Sequence, residues 1–529
     1  MTVSLDTLYI KLIELKITVT YLCFRYSMPP VKQPRSLLSL CKGQIQDKLS
    51  DIIYNFVYIA MDITMNNGDW IQLMREIMEA ANYISEYMSE LPVHLLNQIS
   101  RDGIAEIDDI ISENLVEYLT NRKLKRRCYE TARRLMPIVS LKRTQIFDIT
   151  SLRSPYAVMA AIHHLRNLPE ITDLKICNDD QVERFAVQDM ISATLHSLSK
   201  LVYLEFRKKC NDKIIEKVSI YCPHIQTLIV ALSEKVTEKS VPFILKMKKL
   251  NMLDVISTMI TTDGYRRILE GLPNIKIINW NSIAQLLGGI NREVLTNKHT
   301  IHGILDSAEI VAQLCPNVSR LYLCIIADID ATHLFLLSDL ITLTIYGAEI
   351  FSVDGSLNIF QFIGRKLQVL KFDYVKDLNM CPIFDYCVCL RDLSVSYSKF
   401  TKDELNISPN MEHFKSLLQL KLKINEDDHR MAGVVKFYTN LKTLLADCVE
   451  AFNDEYFADA FQSGGFRRIE AFFLRRCGNL SVTTVQLMMR NCRELTLLGY
   501  MRTWSAIKPE DVAHIEHEIR SNRYNMNLL

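Results

Sequence analysis

Glycine is scarce in this chain, 16 residues in 529, too few for a protein built around glycine-rich turns that cradle phosphates. The corresponding motifs are missing as well. No G-x-x-x-x-G-K-[ST] loop occurs, no G-x-G-x-x-G, no G-x-S-x-G elbow and no H-E-x-x-H helix, so nothing points to an enzyme. No sign of charge dominates: 62 Lys and Arg face 61 Asp and Glu, a net charge of +1. A dedicated nucleic-acid binder would need clustered positive charge. Long uninterrupted apolar runs are also lacking. Residues 1–27 come nearest, but Asp6, Lys11, Glu14, Lys16 and Arg25 spoil a membrane span, and the order of regions does not fit a signal peptide. Residues 1–35 therefore read as a poorly ordered N-terminal extension, with Met28-Pro-Pro opening a flexible lead-in.

The 14 cysteines are scattered rather than clustered, which fits reduced thiols serving as small core residues in the cytoplasm or nucleus. Cys381, Cys387 and Cys389 lie close together but fit no standard zinc spacing. His514, His517 and Glu518 have the wrong order for a zincin and suit a C-terminal capping helix. No metal and no cofactor are expected.

What the chain does have is a period. L-x-x-L-x-L-type segments recur thirteen times between residues 171 and 500, among them LVYLEF, LQVLKF, LRDLSV and LLQLKL. Their second anchors read as Leu174, Leu204, Leu228, Leu253, Ile278, Leu321, Leu343, Leu370, Leu393, Leu420, Leu444, Ile469 and Leu495. Most intervals lie near 25 residues, the range of leucine-rich repeats. The long interval from 278 to 321 is either an insertion or a degenerate repeat around Ile301–Leu305. An α/β leucine-rich-repeat solenoid of about thirteen repeats follows, a ribonuclease-inhibitor-like horseshoe with strands on the concave side and helices on the convex side. The expected division is helices over 36–150, solenoid over 151–505 and a capping helix over 506–529.

A repeat array offers a surface rather than a catalytic cleft. The outward strand positions, with the residues just after two central strands, nominate Tyr322, Lys371, Asp373, Tyr374, Ser394, Tyr397 and Lys421 for contact with a client protein. The basic run Arg122–Arg127 fits either an acidic partner or nuclear signal, or a solvated helix face.

Ahead of the repeats, Leu37, Cys41, Ile45 and Leu49 form an i, i+4 stripe behind Ser36, and Leu91-Pro92 restarts a helix with Leu95 and Leu96. Ser36-Leu37-x-x-x-Cys41-x-x-x-Ile45 resembles the BC-box of cullin–RING ubiquitin-ligase receptors. Leu-Pro-x-x-Leu-Leu at 91–96 is similar to the cullin-choosing box, and the order of parts resembles the Zyg-eleven/Zer family. Cysteines before strands, as in YCPHIQTL and NCRELTLL, resemble F-box/leucine-rich-repeat proteins. The resemblance implies a substrate receptor docking elongin B/C and a cullin through Ser36, Leu37, Cys41, Ile45, Leu91, Pro92 and Leu95. No armadillo-type segment is legible, so no degron carries over. Two alternatives stay open: an F-box-type receptor using a Skp adaptor, opened by Leu91-Pro92, and a non-ligase scaffold whose first helices merely cap the solenoid.

Overall fold

A computed structural model describes residues 35–65, 69–89, 91–115, 122–176, 184–304, 307–324, 332–347, 359–376, 378–400, 416–423, 435–436, 438–521 and 526–528. Residues 1–34 of the expected extension over 1–35 lie outside them, as do the side chains of Ser36, Leu37 and Cys41. The chain divides into two compact units, Met1–Ile275 and Lys276–Leu529.

The first unit opens with four helices: α1 (Arg35–Met65), α2 (Trp70–Met88), α3 (Val93–Leu115) and α4 (Arg122–Val139). Each has an apolar stripe and buries it. On α1 the stripe is Ile45, Leu49, Ile52, Ile53 and Phe56, all at most 2% exposed. On α4, Ala132, Leu135 and Met136 are fully covered. A parallel five-stranded sheet follows, with β1 (Ile146–Asp148), β2 (Asp173–Lys175), β3 (Tyr203–Glu205), β4 (Thr227–Ile229) and β5 (Met252–Asp254) in sequence order. Register aligns Phe147, Leu174, Leu204, Leu228 and Leu253. All five are buried, because alternate strand residues point into the repeat.

The second unit holds an eleven-stranded parallel sheet, again in chain order. Its first six strands are β6 (Ile277–Ser282), β7 (Thr300–Ile304), β8 (Arg320–Cys324), β9 (Thr342–Tyr346), β10 (Val369–Asp373) and β11 (Asp392–Ser396). Then come β12 (Gln419–Lys423), β13 (Thr443–Asp447), β14 (Ala471–Arg475), β15 (Leu497–Gly499) and β16 (Asn527–Leu528). Both units are thus α/β leucine-rich-repeat arrays, one strand per repeat with helical segments returning between strands.

The ladder decides one open point of the sequence reading and corrects it in three places. Ile301 on β7 is in register with Ile278 and Leu321, so the long interval contains a degenerate repeat. The last two in-register anchors are Phe472 and Leu498, not Ile469 and Leu495; Ile469 and Leu495 fill the first apolar slot of the motif, three residues earlier. The sheet begins at Ile146 rather than after 150. At the other end, β16 adds a strand beyond the capping helix Pro509–Ser521. Sixteen strands, not thirteen, are present among the described residues.

Carboxylates tie successive repeats together. Asp212 accepts from the Thr237 backbone N–H and hydroxyl, both at 2.7 Å. Glu238 accepts from the Thr261 N–H at 2.7 Å and its hydroxyl at 2.8 Å. Asp454 accepts from the Ser481 N–H at 2.9 Å and from the Ser481 and Thr484 hydroxyls. Thr237, Thr261 and Ser481 are themselves helix N-caps, so one acid fixes the start of the next repeat's helix.

The exits from the strands share a second device. Lys208, Leu232, Ser257, Tyr374, Tyr397, Cys448 and Arg476 have positive φ, between 48° and 64°. Each lies four residues after its strand's anchor, and Gly347 (φ 72°) occupies the same place. The left-handed turn aims the backbone N–H at the next strand's last carbonyl or at the carbonyl two residues past it. Lys208 donates to Ala231, Leu232 to Ile256 and Tyr374 to Ser396, at 2.9–3.0 Å. Each turn extends the ladder at a cost of about 1–2 kcal/mol for a non-glycine residue.

Candidate functional site

Strand periodicity sends the residues flanking each anchor out of the repeat, forming rows across each sheet. In the first unit those rows pair with themselves. Lys175 meets Asp148 at 3.3 Å, Arg207 donates to Glu205 at 2.6 Å and to Asp254 at 3.3 Å, and the Tyr203 hydroxyl donates to Glu205 at 2.8 Å. Burial favours the neutral carboxyl of Glu205, but the bonds from Arg207 and Tyr203 outweigh it and hold the group below the ordinary carboxylate range.

The second unit differs. Tyr346, Tyr374 and Tyr397 leave three consecutive strands and touch in sequence: 5.5 Å edge-on for the first pair, 4.9 Å stacked for the second. The Lys423 ammonium lies 5.9 Å from the Tyr397 ring, within cation–π range. Tyr346 and Tyr374 are about half exposed, at 48% and 49%. Such rings supply contact area at low entropic cost and keep a polar tip. Asp373 sits beneath them with Oδ1 buried and unbonded. Burial pushes its carboxyl above the usual range, against the pull of Lys421 and Lys423. Neither lysine forms an ion pair among the described residues. The row therefore presents aromatic surface, two lysines without an ion pair among the described residues and a carboxylate oxygen without a hydrogen-bond donor.

Six of the seven client-contact candidates come together here. Lys371 on β10 pairs with Asp392 at 3.6 Å; Asp373, Tyr374, Tyr397 and Lys421 surround it on β10–β12. Ser394 is a correction: it stands on the row but is only 6% exposed, closed over by longer neighbours. Tyr322 lies two strands away, stacked on His302 at 4.0 Å. Tyr346, Lys423 and His302 were not among the candidates. Strand register would have found them, since Tyr346, Asp373, Ser396 and Lys423 occupy one position on four adjacent strands.

The adaptor-docking candidates fare differently. Ile45, Leu91 and Leu95 are 1%, 0% and 2% exposed, spent on the chain's own core and closed to a partner in this conformation. Pro92 is half-buried. Ser36, Leu37 and Cys41 lie on the first turns of α1, with side chains outside the described residues. Among the described residues no group of three His, Cys, Asp or Glu could hold a metal ion, and no helix is long and apolar enough to cross a membrane.

Repeat length, parallel register and alternating burial define the class: a leucine-rich-repeat protein. No protein-family model matches the sequence, and no curated protein does. Among solved structures it is similar to an internalin (inlF) from Listeria monocytogenes, at 16% identity and a TM-score of 0.33, covering 69% of this chain and 88% of that one. It is also similar to the Rad7 and Elc1 complex in yeast, at 12% identity and a TM-score of 0.41, covering 89% and 97%. A plant peptide hormone receptor, RGFR1 in complex with RGF2, matches at 11% identity and a TM-score of 0.28, covering 68% and 59%.

Proposed function

We propose that this chain is a non-enzymatic protein-recognition solenoid whose second unit grips a client through Tyr346, Tyr374, Tyr397 and Lys423. The contiguous, half-exposed tyrosine contacts on adjacent strands carry the reading. Aromatic and cationic residues at a patch centre are the usual source of interface energy. Photo-crosslinking tests it: p-benzoylphenylalanine at position 374 captures a discrete partner in cells, and at Tyr221, exposed at a helix end, it does not. Equal capture at both positions, or none at 374, removes the proposal.

Within that class, the finer reading is an intracellular substrate-recognition subunit of an elongin–cullin ubiquitin ligase. Its support is the BC-box-like pattern on the first turns of α1. Leu37 and Cys41 would make the contact, while buried Ile45 holds the helix in place. Elongin B/C should co-purify with the wild-type chain and be lost with Leu37→Ser/Cys41→Phe. A wild-type eluate without elongin ends this reading, and recovery of a Skp adaptor moves it to the F-box alternative. The non-ligase scaffold has its own supporting observation, the burial of Ile45, Leu91 and Leu95 in the helical cap.

A further inference from the structure

The basic run that opens α4 does more than face solvent. α4 packs beside α2, and between them lies a cleft of about 630 Å³. Trp70, Ile71, Met74 and Met78 line one side, on a face of α2 that borders the core stripe of Leu73, Ile77 and Ile84, with Met74 only 9% exposed at the boundary. Ile71 is 73% exposed and Met78 45%, a costly display of apolar surface for a helix that already has a buried face. The other side carries Arg126, Arg127 and Arg134, one helical face by spacing, and Arg75 joins them from α2.

Among the described residues those arginines lack anions. The cleft's one acid, Glu130, is taken by Arg133 at 2.8 Å, and no carboxylate among the described residues pairs with the other four. The Arg127 guanidinium lies 4.7 Å above the Trp70 ring, and Arg134 leans on the Met78 sulfur. Arg127 Nη1 and Arg134 Nε are buried N–H groups with no acceptor. A buried, unanswered donor costs about 1–3 kcal/mol, which an incoming carboxylate recovers through charge-assisted bonds.

We propose that this cleft binds an acidic amphipathic helix of a partner protein, with aliphatic side chains against Trp70, Met74 and Met78 and carboxylates on Arg127 and Arg134. Charge complementarity chooses the occupant, since the lining carries four arginines against one engaged glutamate. Concavity disfavours a bilayer, which is flat. The apolar wall disfavours a nucleic-acid backbone, which has nothing to place there. Helix-in-groove binding reads anchors at i, i+3 and i+7, the spacing that α2 offers in return. None of the lining residues belongs to the tyrosine row or to the BC-box-like pattern, so the proposal is tested independently of both.

The test uses the purified full chain and a fluorescein-labelled synthetic helix of about four turns, with leucines at i, i+3 and i+7 flanked by glutamates. Binding should shift an emission component that disappears in Trp70→Phe. Arg127→Glu/Arg134→Glu should weaken it at least about tenfold, with Arg127→Lys/Arg134→Lys retaining most of the affinity. Because Ile71 and Met78 are exposed, Ile71→Asp and Met78→Asp leave the fold intact and should also weaken it. Equal binding of a probe with lysines replacing the glutamates overturns the proposal. So does indifference to charge reversal, or binding to phosphatidylserine vesicles without binding of the glutamate probe.

Discussion

Seven non-glycine residues, each four places after its strand's anchor, hold a conformation that glycine adopts freely. At Tyr374 and Tyr397 the same turn sets the rings of the candidate site, so backbone cost and display of side chain come together. Lys208 makes the distinction measurable, because it is exposed and its side chain carries no role in the site. Lys208→Gly should stabilise the first unit by up to about 1 kcal/mol, the relief of left-handed strain less the added chain entropy. Urea midpoints compare the two proteins; a lower midpoint would show that the turn is not strained. Tyr374→Gly should relieve the same strain but remove a ring that the client contact needs.

Among the elements, one imidazole ties the end of α4 to the helix Pro155–His164 that follows β1. His164, 5% exposed, bonds through Nε2 to the Ser140 carbonyl at 2.9 Å, which makes that nitrogen the protonated one. Burial drives its pKa down to about 4, although the Ser140 carbonyl opposes the shift. The unfolded chain titrates near ~6.5, so between that pH and 4 it holds a proton that the folded chain refuses. Stability is full above the unfolded value and falls as pH drops through the window, by about 3 kcal/mol in all. His164→Gln should flatten urea midpoints measured between pH 7 and 4.5; an unchanged slope would assign the acid sensitivity elsewhere. Asp454 adds a lower window. Burial alone would raise its carboxyl, but bonds from Ser481 and Thr484 together hold it below the ordinary range, so its contribution is present above the unfolded carboxylate pKa and fades as pH falls through the depressed one. Asp454→Ala should cost about 1–3 kcal/mol by leaving those donors unmet, read as a lower melting temperature.

Which elements were legible follows from the same chemistry. Strands with an apolar residue three before the anchor and another two after announce themselves, as Leu367, Leu370 and Phe372 do. The repeat at Ile301 hides because Lys298 fills the first slot, fully buried with its ammonium pKa pushed down by desolvation to about 8. Gly303 fills the last slot, where a Cβ would meet the Trp280 carbonyl at 2.0 Å. Thr144 similarly masks β1, its hydroxyl accepting from the Leu141 N–H. The candidate site was half legible. Lys371, Asp373, Tyr374, Tyr397 and Lys421 follow from motif position, whereas Tyr346 and Lys423 require knowing which strands are neighbours.

At the scale of the whole molecule, stability belongs to stacks rather than to single repeats. An anchor with neighbours on both sides should therefore matter more than one at an end. Leu393→Ala, in the middle of the long sheet and 1% exposed, is expected to cost about 2–5 kcal/mol. Leu528→Ala, half-buried on the last strand, should cost less than about 1 kcal/mol. Denaturant titration of the two variants gives the comparison, and equal losses would mean that the long sheet does not behave as a nearest-neighbour array.

The two residues of β16 reach further than their size suggests. Asn527 donates to the Thr496 carbonyl at 2.8 Å and its strand pairs with Leu497 and Leu498. Without it, an apolar strand would present open hydrogen-bonding groups to any passing chain, a template for self-association. A form ending at residue 521 should accordingly aggregate at concentrations where the full chain stays monodisperse by size-exclusion chromatography. In that sense the last strand guards solubility, and a fusion partner is better attached elsewhere.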